Sequence, residues 1–571
     1  MIASAPISTP ITSVQAQDED YFFTLHLMVP KGNVQRQQVG EIMTEELPKI
    51  GIDVEMHIVD FSEFLPRMYK VRDDRQCEGW GDNGYDLYLV QFGFGVSPQG
   101  MMLQFGSNSS WQCSGYRNGN FDTLMEKAGK TVGDEEKREK LYWKASEIIY
   151  HDLPIAPYWR IEGTYPLRTA AEGFNPPLST DNLWEWTLPG EDNIHYVQPS
   201  DADNLNPYFM GTGYSARAVE YPVYDNLVAL DENYRPKAGR EGLAKSWEWI
   251  NDTYIEFELY ENATWHDGEP VMADDVAFTF NAVLDPETKA QEYTDFIDAG
   301  LEKAVVVDDY IVGMKIGKPY APFMVEVGTN VVLPKHILKD VAHEQWMYNF
   351  MNTGVNNETG KDKFPIGSGP YKMTEWVEDD HITLEAHDDY HLGAPQMDTI
   401  YMDVKPESEV AFAALEAGEV DILNMWYGWT PETLNSAEEN PDLTVATAPV
   451  LGAQQLGFNL QHPILSNRFV RWAINYMIPR EQIIEDVCGG YGKPTSQYLP
   501  EGMLGHNPNL APVTYSVEDA KEMMELGGYD YEYLEEKGAA IPLWFWAIPI
   551  VTFVVGLAGA YVALRRMMQV E

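Results

Sequence analysis

The sequence that decides the fold is Ser-Trp-Glu at 246–248, Thr-Trp-His-Asp-Gly-Glu-Pro at 264–270 and Ala-Asp-Asp-Val at 273–276. Between the first two segments, residues 254–260 alternate apolar and polar side chains, which predicts a strand with one buried face. The His-Asp-Gly triplet predicts a turn, because glycine readily adopts the positive φ that such a turn requires. The two aspartates of the last segment favour a helix start, where the helix dipole is positive.

We interpret two pairs of residues in the chain as structural and not as catalytic. His266 and Asp267 are adjacent and suggest a catalytic pair, but a turn explains both of them. Arg471 and Arg480 lie on and after an amphipathic helix, and we interpret them as structural residues that anchor carboxylates. We therefore assign catalytic roles to none of these four residues.

The order of these segments resembles the signature of the peptide/nickel-type solute-binding proteins of ABC importers. Asn-Leu-Asn-Pro at 204–207, Tyr-Asp-Asn-Leu at 224–227 and Pro-Ile-Gly-Ser-Gly-Pro-Tyr at 365–371 extend the resemblance. It implies an α/β fold of the periplasmic-binding-protein type (class II, cluster C), with two lobes joined by a two-strand hinge. The ligand is then expected in the cleft between the lobes, which closes around it.

Residues 18–164 resemble the last third of the same family, although they come first in this chain. Gly-Ile-Asp-Val at 51–54 and Asp-Leu-Pro-Ile-Ala-Pro at 152–157 carry this part of the resemblance. One explanation is a circular permutant, which is tolerated when the termini of a fold lie close together. The other is a piece of a tandem array that a neighbouring molecule completes. Each part occurs once, so we favour the permutant.

The resemblance divides the chain into segments with different roles. Residues 18–164 and 453–530 are expected to share one lobe, residues 165–452 to form the other, and the crossover strands to lie near 157–165 and 445–455. The remaining segments are a signal-peptide remnant at 1–17, a linker at 531–540, a transmembrane anchor at 541–564 and a cytoplasmic tail at 565–571.

The segment 541–564 is predicted to be a transmembrane helix. It carries no charged side chain, and at about 1.5 Å per residue it is long enough for a bilayer core of about 30 Å. Trp544 and Trp546 near its start are typical of an aromatic belt, and two arginines follow it directly. The sequence therefore predicts a single-pass protein of the cell membrane, with its bulk extracytoplasmic and its C-terminus in the cytoplasm.

The composition argues against some classes of partner and allows one disulfide. The chain has 39 Lys+Arg and 89 Asp+Glu, a formal net charge of −50, which repels nucleic acid and anionic lipid. The three cysteines have no metal-ligand spacing, so we predict no zinc site and no cofactor. Cys77 and Cys113 lie in polar, loop-like sequence and are candidates for a disulfide in an oxidising compartment.

The first candidate ligand contacts follow a strand that starts with Tyr-Asp. Peptide binders of the resembled family often place an aspartate there, which holds the α-amino group of the ligand. This chain reads Gln-Phe-Gly-Phe-Gly at 91–95 and has no acid, which puts that contact in doubt. Gln91, Phe92 and Phe94 are the candidates instead, with core packing of the strand end as the alternative.

A second set of candidate contacts lies in the other parts of the chain. Three closely spaced aromatic side chains predict a stacking platform for a peptide or a sugar, although core packing explains them nearly as well. Tyr214 and Ser215 are weaker candidates, and Asn459 either faces the cleft or caps the next turn. The aromatic set is Trp426, Tyr427 and Trp429.

The predicted function is that of a solute receptor without chemistry of its own. It captures an oligopeptide between two lobes and delivers it to the permease of an ABC transporter. The alternatives are an oligosaccharide receptor of the same family and a ligand sensor. A cleft hydrolase is less favoured, because the sequence contains no Gly-x-Ser-x-Gly or His-Glu-x-x-His motif.

Overall fold

The computed structural model describes residues 21–74, 79–93, 95–174, 182–211, 213–239, 242–346, 354–355, 362–424 and 429–532. The strands are β1 (Phe23–Pro30), β2 (Ile52–Val59), β3 (Leu87–Phe92), β4 (Ile155–Arg168), β5 (Asn193–Gln198), β6 (Ala229–Leu230), β7 (Pro236–Lys237), β8 (Ala244–Asn251), β9 (Tyr254–Leu259), β10 (Leu301–Asp308), β11 (Ile311–Ile316), β12 (Gly354–Val355), β13 (Asp362–Lys363), β14 (Tyr371–Val377), β15 (His381–Ala386), β16 (Thr399–Val404), β17 (Ile422–Leu423), β18 (Leu443–Pro449), β19 (Ala453–Phe458) and β20 (Gly492–Pro494). The helices are α1 (Val34–Glu46), α2 (Phe61–Asp74), α3 (Met101–Phe105), α4 (Gly119–Gly129), α5 (Glu135–Asp152), α6 (Gly213–Ser215), α7 (Tyr221–Val223), α8 (Ala273–Val283), α9 (Tyr293–Ala299), α10 (Phe323–Glu326), α11 (Lys335–Leu338), α12 (Ser408–Glu416), α13 (Pro431–Glu439), α14 (Arg468–Tyr476), α15 (Arg480–Cys488) and α16 (Val517–Leu526).

One mixed 12-stranded sheet runs through the molecule, and β4 joins its two parts. Residues 155–159 of β4 pair antiparallel with β19, and residues 162–168 pair antiparallel with β18. Because β18 and β19 follow each other in the chain, both crossings lie side by side. They coincide with the crossover segments expected near 157–165 and 445–455.

The buried side chains form two principal cores on either side of this crossing. One core draws its buried residues from positions 167 to 422. The other combines residues between 25 and 159 with residues between 456 and 529, so both ends of the described chain share it. We call the part built from 21–161 and 453–532 the terminal half, and the part built from 162–449 the central half.

The signature turn at 264–270 is explained by packing within the central half. His266 accepts a hydrogen bond from Gly367 N (3.2 Å) through Nδ1 and donates one from Nε2 to Gly369 O (3.0 Å). Burial is the main cause that lowers the pKa of His266 to about 3, so its ring is neutral. Asp267 contacts His336 instead, with 2.8 Å between Oδ2 and Nε2. The two residues thus have separate structural partners and do not form a catalytic pair.

The glycines at 367 and 369 are required by close backbone contact. A Cβ at Gly367 would lie 1.7 Å from the carbonyl oxygen of Val223, and one at Gly369 would lie 2.6 Å from that of Pro222. Any larger residue would push the Gly-Ser-Gly turn away from the chain that it packs against. The turn therefore locks β14 and the Trp-His-Asp-Gly segment onto α7.

Two buried arginines connect the distant segments of the terminal half. Arg480 donates hydrogen bonds to the carbonyls of Thr495 (3.2 Å), Val513 (3.1 Å) and Pro157 (3.0 Å), and burial lowers its pKa to about 9. Arg471 donates to the carbonyl of Leu153 at 2.9 Å. The expectation of a structural role is correct, but the expected carboxylate partners are wrong, because the acceptors are backbone carbonyls.

The transmembrane helix of the predicted architecture finds no support among the described residues. Among the residues that the structure describes, which end at 532, none of the helices combines the length and the apolar character that a membrane crossing needs. The longest, α5, has 18 residues and carries many charges. The segment 541–564 itself lies outside the described residues.

The structure describes one of the two cysteines of the candidate disulfide, so their pairing stays a prediction. Cys113 is a free, buried thiol whose Sγ lies 3.2 Å from the hydroxyl of Tyr88. Burial raises the pKa of Cys113 to about 11, so the thiol stays protonated and unreactive. Cys77 lies outside the described residues. Cys488, the third cysteine, is also free and buried.

Replacing Arg480 with lysine tests whether this side chain holds the terminal half together. We expect Arg480→Lys to lower the free energy of unfolding by about 2–4 kcal/mol, because one ammonium cannot satisfy several buried carbonyls. Arg468→Lys, at an exposed position of α14, is the matched control. Guanidinium denaturation measures both. A value for Arg480→Lys within about 0.5 kcal/mol of the control would contradict the proposed role.

Candidate functional site

The strand registers bring the carboxyl ends of strands from both halves to the crossing. In the central half, β17 runs parallel to β5 and antiparallel to β4, with Ile422 opposite Leu167. Strand β17 therefore points toward the middle of β4, where the chain crosses. In the terminal half, β3 ends at Phe92, opposite Ala453 at the start of β19. Because open α/β sheets bind ligands beyond the carboxyl ends of their strands, the region between these two edges is the candidate site.

The central half contributes two buried amides to this edge. Gln198 ends β5, and Asn424 follows β17 beside it in the extended register. Both side chains are 0% exposed, and their amide nitrogens and oxygens have no hydrogen-bond partner among the described residues. An unpaired buried amide costs about 1–3 kcal/mol. This cost identifies the pair as the strongest candidate for ligand contact.

The sequence analysis missed both of these amides. Neither residue type is rare, and no motif surrounds them. The one available signal is an amide residue at the end of a largely apolar strand. Such a residue ends both Ile-His-Tyr-Val-Gln at 194–198 and Ile-Leu-Asn at 422–424. That signal gains meaning only when the register places the two strand ends next to each other.

The terminal half contributes a row of polar side chains at the end of β3. Gln454 donates from Nε2 to Gln91 Oε1 at 3.4 Å, and its Oε1 accepts a hydrogen bond from Arg36 Nε at 3.0 Å. Arg36 lies in the first turn of α1, after the capping residue Asn33. Gln91 thus belongs to a network of amides and one cation at the crossing, and its role in ligand binding stays a prediction.

The glycine after β3 makes room for the crossing. A Cβ at Gly93 would lie 2.7 Å from the carbonyl oxygen of Leu451, and one at Gly452 would lie 2.3 Å from that of Phe92. Gly452 also has a φ of 115°, which side chains disfavour. The closest neighbour of Gly93 is therefore the crossover chain. Phe92 packs partly buried against the Tyr85–Tyr88 core, and Phe94 lies outside the described residues.

The remaining predicted contacts divide into structural residues and residues that stay candidates. Ser215 is fully buried and its hydroxyl accepts a hydrogen bond from Asp203 N at 2.8 Å. Asn459 is also fully buried and donates to Tyr85 O at 2.9 Å, while its Oδ1 accepts from Gln461 N at 3.1 Å. Of the two alternatives for Asn459, this geometry favours the turn cap, and we remove both residues from the site.

The aromatic candidates are only partly placed by the structure. Trp429 donates from Nε1 to Thr164 O at 3.3 Å, so it lies beside the crossing strand β4, and its ring also meets Phe412. Tyr214 is half-buried, with the Arg217 guanidinium 6.0 Å from its ring centre. Trp426 and Tyr427 lie outside the described residues. The structure thus puts Trp429 beside the crossing strand, and the ligand-binding role of all four aromatics stays a prediction.

The two halves also touch each other away from the crossing. Arg235 of the central half forms ion pairs with Glu135 and Glu139 on α5 of the terminal half, the latter at 3.2 Å. Ala321 donates its backbone N–H to Gly129 O at 2.7 Å, and Arg138 donates to Ala321 O at 2.8 Å. These contacts join the two halves at a second place, away from the candidate site.

Comparison with known proteins places the chain in a family. The model of the family described as "Bacterial extracellular solute-binding proteins, family 5 Middle" matches residues 240–559, just over half of the chain. The chain belongs to this family. The finding confirms the resemblance carried by the segments around Trp265, and it does not address the rotated order of the remaining segments.

Two curated relatives of this family 5 protein are named for peptide binding. It is 27% identical over 376 residues to the dipeptide-binding protein of Escherichia coli (strain K12), covering 62% of this chain and 65% of the relative. It is 29% identical over 318 residues to the oligopeptide-binding protein AppA of Bacillus subtilis (strain 168), covering 54% and 55%. The chain therefore spans less than two thirds of the length of either relative.

Solved structures with partial similarity include one from Listeria monocytogenes. The ABC transporter substrate-binding protein CtaP of that organism is 25% identical, with a TM-score of 0.49, over 60% of this family 5 protein and 66% of that chain. AppA of Bacillus subtilis in complex with a nonapeptide is 23% identical, with a TM-score of 0.43, over 59% and 64%.

Replacement of Gln198 by methionine tests whether this buried amide is a ligand contact or an ordinary residue of the core. Without ligand, we expect Gln198→Met to leave the free energy of unfolding unchanged or higher, because it removes a buried amide that has no partner. Gln497 is the matched control: its Nε2 donates to Asn507 O (2.9 Å) and Leu510 O (2.9 Å). Gln497→Met should cost about 1–3 kcal/mol in the same denaturation experiment. Equal losses in the two variants would show that Gln198 is an ordinary core residue.

Proposed function

We propose that this protein is an extracytoplasmic receptor that captures an oligopeptide between its two halves and delivers it to the permease of an ABC transporter. The observation that carries the proposal is the pair of unpaired buried amides, Gln198 and Asn424, at the strand ends that face the crossing. Membership of family 5 and the peptide-binding names of the curated relatives support the same conclusion.

The chemistry of the site favours a peptide over a sugar. An extended peptide offers alternating N–H and C=O groups, and side-chain amides can pair with both. The Arg36 guanidinium, linked through Gln454 to Gln91, adds a cation suited to a peptide carboxylate. The sequence offers no acid at 91–98 for an α-amino group. We therefore propose that the carboxyl end of the peptide, and not its amino end, lies on the terminal half.

The protein would act through closure and without catalysis. A ligand that contacts both halves stabilises the closed state by its differential affinity for the two states. The contacts of Arg235 with Glu135 and Glu139 would then form and break with each binding event. Such partly exposed ion pairs are worth about 0.2–1 kcal/mol each, which is weak enough to let the halves reopen.

The grouping of the cores supports the proposed division of the chain. We propose that residues 18–164 and 453–530 form one lobe, that 165–452 form the other, and that the chain is a permuted single copy of the family fold. The shared core of the terminal half supports this, because segments from both ends of the described chain build it together. A tandem array would instead leave one half to be completed by a second molecule.

Native mass spectrometry of the freshly purified full chain tests the proposed function. We expect a monomer that carries a mass of a few hundred to a few thousand daltons, which denaturation releases and fragmentation identifies as peptide. Sugar fragments would replace the peptide proposal by the oligosaccharide alternative. Steady hydrolysis of added peptides would contradict a receptor without chemistry.

Gln198→Met also tests the site through ligand affinity. We expect it to weaken peptide binding about tenfold or more, which corresponds to the loss of about 1.4 kcal/mol from hydrogen bonds to the peptide backbone. Gln497→Met, whose amide is paired within the terminal half, should leave the affinity unchanged. Calorimetric titration with the peptide found by mass spectrometry measures both. An unchanged affinity for Gln198→Met would move the ligand away from this edge.

A further inference from the structure

Three potential metal ligands meet on the outer strands of the terminal half. Strands β1 and β2 are parallel, and His26 lies opposite Glu55 in their register. Glu55 and His57 are two residues apart on β2, so their side chains point to the same face of the sheet. The sequence analysis predicted no zinc site from the spacing of the cysteines, and it did not consider His26, which is far from the other two residues along the chain.

The distances within this cluster suit one small cation. His26 Nδ1 lies 3.0 Å from His57 Nε2 and 3.4 Å from Glu55 Oε2, and His57 Nε2 lies 3.9 Å from Glu55 Oε2. In a tetrahedral site with bonds of about 2.0–2.1 Å, the ligand atoms are about 3.3 Å apart. The three observed separations bracket this value. A simple hydrogen bond between the imidazoles would account for the first distance and leave Glu55 without a role.

Neighbouring side chains hold the two imidazoles in place. The Trp80 ring stacks on His57 with 4.0 Å between centres and 16° between planes. The buried Asp86 accepts hydrogen bonds from the backbone N–H groups of His26 (3.0 Å) and Trp80 (3.2 Å). The stacking restricts rotation of the His57 ring, and the hydrogen bonds of Asp86 hold the backbone at His26 and Trp80.

The charge around the cluster favours a cation. The Arg67 guanidinium lies 4.2 Å over the Trp80 ring, and its charge is paired with Glu63 at 2.6 Å. Glu55 and Asp86 supply negative charge, within a chain whose net charge is −50.

We propose that His26, Glu55 and His57 bind one divalent transition-metal ion, zinc in the first place, with water as the fourth ligand. Two imidazoles and one carboxylate are a ligand set that zinc accepts, whereas magnesium and calcium prefer oxygen alone. The ion would clamp β2, the last strand of the sheet, to β1. This site is separate from the ligand edge at Gln198 and Asn424, and it does not depend on the proposed function.

Cobalt and zinc titrations of the full chain test the proposal. After chelator treatment, we expect one equivalent of Co²⁺ to give the intense visible absorption of a four-coordinate ion, and Zn²⁺ to displace it. His57→Gln and His26→Gln should each weaken Zn²⁺ binding more than tenfold. His381→Gln is the matched control, because its two ring nitrogens contact Asp380 (2.7 Å) and Glu375 (3.4 Å) on opposite sides and cannot chelate.

Glu55→Gln keeps the test valid if a histidine variant unfolds. Glu55 is 59% exposed, so its replacement should not disturb the fold, and circular dichroism would verify this. We expect Zn²⁺ to raise the melting temperature of the unmodified protein and of His381→Gln, and to raise that of Glu55→Gln markedly less. The proposal fails if the unmodified protein binds no Zn²⁺, or if folded His57→Gln and Glu55→Gln bind it as tightly as His381→Gln does.

Discussion

The pairing of one long strand with neighbours from both halves is the constraint on which the rest of the structure depends. Strand β4 pairs with β19 and β20 in the terminal half and with β17 and β18 in the central half. Backbone hydrogen bonds along β4 thus fix where the chain crosses and which strand ends face the crossing. Because the crossing is fixed, the carboxyl ends of β3, β5 and β17 all lie beside it.

The same constraint explains how segments from both ends of the chain can build one half. Residues 21–161 enter β4 from one end of the sequence, and residues 453–532 leave the crossing through β19. Arg480 and Arg471 then connect these two segments through backbone carbonyls of Pro157 and Leu153. Such bonds depend on backbone position and not on a partner side chain, so they tolerate a chain whose segments are connected in a different order.

The buried amides of the two halves differ in their hydrogen-bond partners.

 Gln497, in the terminal half, uses its amide fully and contributes to stability. Gln198 and Asn424 are equally buried but have no partner among the described residues, so they cost stability in the free protein. A ligand that pairs with them recovers this cost only on binding. A polar ligand would therefore gain more from binding at this edge than from binding at an apolar one.

The sequence predicted the features that depend on local chemistry. The strand over 254–260 is observed as β9, the helix after the aspartates at 274 and 275 as α8, and the His-Asp-Gly turn contains Gly268 with a φ of 91°. Each of these depends on residues within a few positions of each other. Family membership followed from the same segments.

The features that were missed depend on distant residues. The amides Gln198 and Asn424 become neighbours only through strand register, and His26 meets His57 only because β1 and β2 are parallel. The carbonyl partners of Arg480 could not be read from its own helix. The burial of Cys113 beside Tyr88 was missed for the same reason, because nothing in its local sequence shows it.

Hydrogen exchange at the Ala321 amide is the most direct test of the central claim, that the two halves close on a ligand. This N–H donates to Gly129 O across the two halves at 2.7 Å. With a saturating peptide, we predict slower exchange at Ala321 together with slower exchange around Gln198 and Asn424. Peptide binding that protects residues of one half alone, with unchanged exchange at Ala321, would contradict the account.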